Sequence, residues 1–138
     1  MGRVTAKLKI RNAYDVQKAA EGTLSPTQVR SLEIEAVVDT GATYVCISRS
    51  DIEKLGLPFL DNVELRTANG RATRRTFSGA DIELNGRRFP MAVMENDEDT
   101  PPLIGYLILE ALDLVVDPKS RQVIGNPAHD GKWVADLY

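Results

Sequence analysis

Ala36-Val37-Val38-Asp39-Thr40-Gly41-Ala42 carries an apolar run straight into a carboxylate, and the reading of that carboxylate decides the fold. Val29 to Val38 is rich in β-branched and alternating apolar residues, so it reads as a strand with Asp39 at its end. A structural turn needs no charge there. Gly41 lets the backbone bend sharply and approach another chain or a ligand closely. Thr40 brings a hydroxyl that can hold the loop, and the amides that follow Asp39 can accept carboxylate charge. By itself Asp-Thr-Gly is also ordinary turn composition, so its meaning depends on the residues around it.

Outward from this point, period-two alternation continues in both directions. Val4 to Ile10 reads as a first strand, and the polar stretch after it, through Pro26, as a long loop. Tyr44 to Ile47 resumes extended structure. A short helix follows, with Ser50 as its cap, Glu53 completing a capping box and Gly56 as its stop. Val63 to Thr67 and Arg71 to Phe77 flank Ala68-Asn69-Gly70, a hairpin signal. Ala80 to Leu84 and Arg88 to Met94 form a second hairpin around Asn85-Gly86. Glu95 to Pro102 is an acidic surface loop, and Leu103-Ile104-Gly105 leads into a short helix over Tyr106 to Leu112. Leu114 to Val116 and Gln122 to Ile124 read as strands around Asp117-Pro118-Lys119-Ser120. No repeat or linker divides the chain.

A length of 138 residues predicts one domain with one core. With 43% hydrophobic and 27% charged residues, the composition excludes wholesale disorder and rod-like repeats. The apolar runs fall short of the roughly 18 residues of a membrane span. The N-terminus lacks the apolar core of a secretory signal, so a cytoplasmic, membrane-free protein is expected. Cys46 is the only cysteine and His129 the only histidine, which excludes an intrachain disulfide and a cysteine-cluster zinc site. A net charge of -3 argues against general nucleic-acid affinity. That charge is unevenly spread: Arg66, Arg71, Arg74, Arg75, Arg87 and Arg88 crowd the hairpins, whereas Met91 to Asp113 contains acids and no base.

The order of these elements, with Asp39-Thr40-Gly41-Ala42, then a hairpin at Asn69-Gly70, then Leu103-Ile104-Gly105 before a short helix, resembles the retropepsin-like (clan AA) aspartic proteases. The likeness runs from about residue 4 to 124 and is nearest the single-domain bacterial members. It implies an all-β closed barrel with one or two short helices, a flap hairpin and a C2 dimer. By resemblance, Asp39, Thr40 and Gly41 are catalytic, and Ala42, Thr43, Ala68, Asn69 and Gly70 contact substrate. Leu103, Ile104 and Gly105 pack beneath the active-site loop. The chain departs from the viral pattern at Tyr106, where those enzymes commonly carry a charge, and in an arginine-framed rather than glycine-rich flap tip. It departs again in a tail, 125–138, beyond the core pattern.

One motif has an arithmetic consequence. Paired-carboxylate chemistry needs two facing acids, and His129-Asp130-Gly131 is no second copy, so a homodimer with Asp39 of each protomer on the two-fold axis is expected. Two carboxylates that close share a proton, so one serves as general base on water while the other polarises the scissile carbonyl of a peptide or protein substrate. No metal or cofactor is required. The alternative is a dimeric peptide-binding or scaffold module of the same fold without turnover. The hairpin arginines read either as a solvated face or as a preference for acidic or phosphate-rimmed substrates. His129 reads as surface loop, Cys46 as a small buried hydrophobe, and Trp133 and Tyr138 as tail anchors. Asp97, Glu98 and Asp99 read as an exposed acidic loop or a hard-cation site, and Ser48 and Ser50 lack a base to activate them.

Overall fold

The computed structural model describes residues 3–137. Tyr138, expected as a tail anchor, lies outside them. Strand β1 (Thr5–Asn12) pairs antiparallel with β2 (Ser31–Val38), Leu8 opposite Ile34 and Ile10 opposite Leu32. The end of β2 pairs parallel with the short β7 (Leu103–Ile104), which runs antiparallel to β3 (Cys46–Ser48). Strand β3 lies parallel to β6 (Arg87–Asn96), and β6 pairs antiparallel with the 15-residue β5 (Gly70–Leu84). The far half of β5 returns to β1, with Ile10 opposite Ile82, and so the ring β1-β2-β7-β3-β6-β5 closes the strands that the alternation predicts into the all-β barrel that the resemblance implies. Strand β4 (Phe59–Thr67) is outside the ring, paired only with the first half of β5. Strands β8 (Leu114–Asp117) and β9 (Gln122–Gly125) form a separate hairpin.

Alternation explains the barrel's filling. In Lys7-Leu8-Lys9-Ile10 the apolar partners face inward and are fully buried, joined by Ala36, Val45, Ile47, Ile82, Leu84, Val93 and Ile104. Helices α2 (Arg49–Leu55) and α3 (Tyr106–Ala111) add Ile52, Leu55 and Ile108 to the same cluster, and Leu112 follows α3 into it. Each such side chain contributes about 1.5–3 kcal/mol by leaving water.

Three local expectations need correction. The stretch after β1 is not loop throughout: helix α1 spans Ala13–Ala20. Its cap is Asn12, whose Oδ1 accepts the amides of Tyr14 and Asp15 at 2.9 and 3.0 Å while its Nδ2 donates to Leu55 O. Among the described residues the barrel therefore carries three short α-helices rather than the one or two expected. Helix α2 is capped by Ser48, which accepts the Asp51 amide, and not by Ser50. Glu53 pairs instead with Arg49 at 3.1 Å, while Gly56 ends the helix as expected, at φ 66°. The two strands read on either side of Ser78-Gly79 are one strand with a bulge between Phe77 and Ala80. Gly79 takes φ 83° there, and the Tyr14 ring packs where a Cβ would stand.

Candidate active site

Asp39 follows the last residue of β2, and its loop is bolted down from below. The Asp39 amide donates to Ile104 O at 2.9 Å, and the amides of Tyr106 and Leu107, opening α3, donate to Ala42 O and Thr43 O at 2.9 and 3.2 Å. Gly105 lies flat against this loop: a Cβ there would stand 2.5–2.7 Å from Tyr44 O, Thr43 C and Ala42 O. No L side chain other than hydrogen fits that gap. Within the loop, Asp39 Oδ1 accepts the Gly41 amide at 3.0 Å and Asp39 O accepts the Ala42 amide at 3.0 Å. The backbone is thus fixed while Asp39, Thr40 and Gly41 remain exposed. Among the described residues the Thr40 hydroxyl has no hydrogen-bond partner in its own chain.

Asp39 opens onto a cleft of about 610 Å³. Its floor is Gly41, Ala42, Thr43, Tyr44, Cys46 and Leu103, and the hairpin β4–β5 contributes Val63, Glu64, Leu65, Arg66 and Arg74. Met94, Glu95 and Asn96 of β6 complete the lining. Of the expected substrate contacts, Ala42 and Thr43 line this cleft, whereas Ala68, Asn69 and Gly70 are the exposed hairpin tip and do not. The hairpin stem lines it instead. Its signal was present as alternation, since Val63 and Leu65 are apolar every second residue.

The hairpin's arginines are mostly engaged. Arg75 grips Glu95 with two bonds, Nε to Oε1 at 3.0 Å and Nη2 to Oε2 at 2.7 Å, beside Thr76↔Met94, where β5 parts from β6. Arg49 approaches the same carboxylate at 3.8 Å, and Arg71 pairs with Glu64 at 3.6 Å. Cys46 is half-buried, with its thiol pushed up to about 11, first by burial and then by the charge of Asp39, with Arg74 opposing. It is a poor nucleophile at neutral pH.

Residues weighed elsewhere have local tasks. Glu98 accepts the Ser50 amide and hydroxyl at 3.0 and 2.9 Å. Among the described residues, no group of three His, Cys, Asp or Glu side chains could hold a metal ion. His129 is half-buried rather than free surface, its Nδ1 2.6 Å from Asp113 Oδ2. The His129 contact holds the Asp113 carboxyl below its usual range. Trp133 docks on its own barrel, donating to Ala111 O at 3.1 Å beneath the Arg87 guanidinium.

Residues 25–108, more than half of the chain, match a family model described as aspartyl protease. The chain belongs to the aspartyl protease family. The matched span holds Asp39-Thr40-Gly41, the hairpin and Leu103-Ile104-Gly105, all the elements that build the cleft. Among solved structures, EIAV protease complexed with the inhibitor HBY-793 superposes with a TM-score of 0.57 at 14% identity, over 79% of this chain and 86% of that one. At that identity the match establishes the retropepsin-like fold. No curated protein gives a significant match. No described helix of this aspartyl protease family member is long and apolar enough to cross a membrane.

Proposed function

We propose that residues 1–138 form one aspartic endopeptidase domain, active as a homodimer in which the two Asp39 carboxylates meet on the two-fold axis. The observation that carries this reading is the Asp39 loop itself: a backbone clamped by Ile104, Gly105 and α3, presenting a lone exposed carboxylate at the mouth of a cleft. A fold gains nothing from clamping an exposed acid so tightly, whereas a half-site completed by its own copy requires it. The exposed Thr40 hydroxyl is then available to the partner's loop.

Across the axis the two carboxylates hold one proton between them, because two like charges in contact cannot both ionise. The ionised Asp39 takes a proton from a bound water as that water attacks the peptide carbonyl. The protonated Asp39 donates to the carbonyl oxygen, and a proton then passes to the leaving amine as the C–N bond breaks. Atoms and charges balance with no external reagent. Closure of the β4–β5 hairpin over the cleft would exclude water and strengthen these bonds.

The test compares wild type with Asp39→Asn on unfolded protein substrates from mildly acidic to neutral pH, with a statine-type transition-state mimic as inhibitor. Cleavage by wild type that the mimic blocks and the variant lacks supports the reading. Equal background activity in both proteins would replace it with the peptide-binding module.

A further inference from the structure

Directly opposed residues of an antiparallel pair project to the same side. The register therefore places Val63 with Arg74, and Leu65 with Ala72, on one face of the β4–β5 hairpin, and Glu64, Thr73, Arg66 and Arg71 on the other. Val63, Leu65 and Arg74 of the first face line the Asp39 cleft and are half-buried. Glu64 and Arg66, of the opposite face, also line the cleft, from β4, the edge strand. The face shared by Val63, Leu65, Ala72 and Arg74 is apolar but for that one guanidinium.

That guanidinium is largely unspent. The acids around the cleft are Asp39, Glu64 and Glu95, with Asp97 beyond. Glu95 is taken by two bonds from Arg75, and Glu64 has a solvated contact with Arg71, on the hairpin face opposite Arg74. Among the described residues Arg74 has only Asp97, at 3.8 Å with the Asp97 side chain 66% exposed, and a bond of 3.4 Å from Nη1 to the neighbouring Thr73 O. A long, solvated ion pair of this kind contributes little. A cation left so weakly paired beside Val63 and Leu65, in the cleft that holds Asp39, is placed to receive an anion from whatever occupies that cleft.

We propose that Arg74 is a specificity residue that binds a carboxylate of the peptide lying in the Asp39 cleft. The proposal rests on the reading of that cleft as a peptide site. Guanidinium and carboxylate match as a two-bond fork, and the apolar flanks lower the local dielectric that would otherwise screen them. The carboxylate comes either from a Glu or Asp side chain near the scissile bond or from the peptide's C-terminus. Either source displaces Asp97, which gives up a solvated contact.

Two peptide series separate the sources: amidated peptides differing only as Glu or Gln at each position flanking the cleaved bond, and the Gln peptide with a free-acid or amide end. For wild type, kcat/KM should be roughly tenfold higher for the carboxylate-bearing member of one series, the scale of a charge-assisted hydrogen bond. Added salt should shrink that ratio. In Arg74→Gln the ratio should fall to about one, and in Arg74→Lys it should partly survive. Asp97→Asn, which removes the internal competitor, should raise it. Fluorescence anisotropy of the same labelled peptides on Asp39→Asn protein reads the preference without turnover, so a failure of the proteolytic reading is seen separately from a failure of this one. Equal binding and cleavage across both series at low salt, or a preference that persists in Arg74→Gln, would overturn the proposal.

Discussion

The Asp39–Thr43 loop and the Phe59–Phe77 hairpin line one cleft and are held in opposite ways. The loop is fixed by backbone: amide bonds to Ile104, Ala42 and Thr43, and a glycine packed too closely to admit a methyl group. The hairpin is fixed by its own ladder and by one side-chain ion pair at its base, Arg75 with Glu95. Backbone contacts in a packed core tolerate almost no displacement, whereas partly exposed ion pairs give way with salt and solvent. The difference suits the two tasks that the proposed function assigns, fixed acid geometry for the loop and opening for a peptide for the hairpin.

The largest expected effect falls on the loop. Asp39→Asn should lower kcat by about 10³-fold or more while leaving the denaturant midpoint near that of wild type, because the exposed carboxylate bonds only the nearby Gly41 amide. Gly105→Ala should act on both activity and stability. Its methyl has no room against three backbone atoms, and the displacement should cost about 1–3 kcal/mol in chemical denaturation, with activity falling as the loop shifts. An unchanged midpoint would mean the loop is softer than its contacts imply.

The hairpin should respond more gently. Arg75→Gln removes the two-bond grip on Glu95 at the point where β5 leaves β6, and should raise KM several-fold with little change in kcat or folding. A collapse of kcat equal to that of the loop variants would erase the distinction between the two regions.

Away from the cleft, acid sensitivity should trace to the contact between α1 and the segment before β2. Asp15 is buried and its carboxyl lowered to about 2, chiefly by the side-chain hydrogen bonds of Arg30, at 2.8 and 3.0 Å. A carboxyl lowered on folding stabilises the folded state above its unfolded value, near 3.8, and that contribution is lost as pH falls toward 2. Asp15→Asn should therefore flatten the stability profile between about pH 4 and pH 2, measured by thermal melts across that window.

Much of this was legible in the sequence where local chemistry dictates local shape. Asn85-Gly86 takes φ of 52° and 78°, both positive as a two-residue hairpin turn demands, and the strands on either side pair in that register. Leu103-Ile104-Gly105 is expected under the loop from the family resemblance, and the structure supplies the physical reason, since a Cβ on Gly105 has no room there. What escaped depends on partners distant in sequence. Helix α1 is only eight residues long and is held by Asn12 to Leu55 O and by Asp15 to Arg30, contacts that no local window contains. Strand β5 runs on through Ser78-Gly79 with Tyr14, distant in sequence, packed against the bulge. In the same way the cleft-lining role of Val63, Leu65 and Arg74 follows from the register of β4 on β5, while the sequence drew attention to the turn residues Ala68-Asn69-Gly70.

In the proposed function each active site takes one Asp39 from each of two chains. The direct measurement mixes wild type with Asp39→Asn protein at fixed total concentration, lets the subunits exchange, and follows peptide cleavage against the wild-type fraction. Activity should fall with the square of that fraction, because a mixed dimer holds only one carboxylate. A straight-line decrease would show that one chain's Asp39 suffices and would contradict the account.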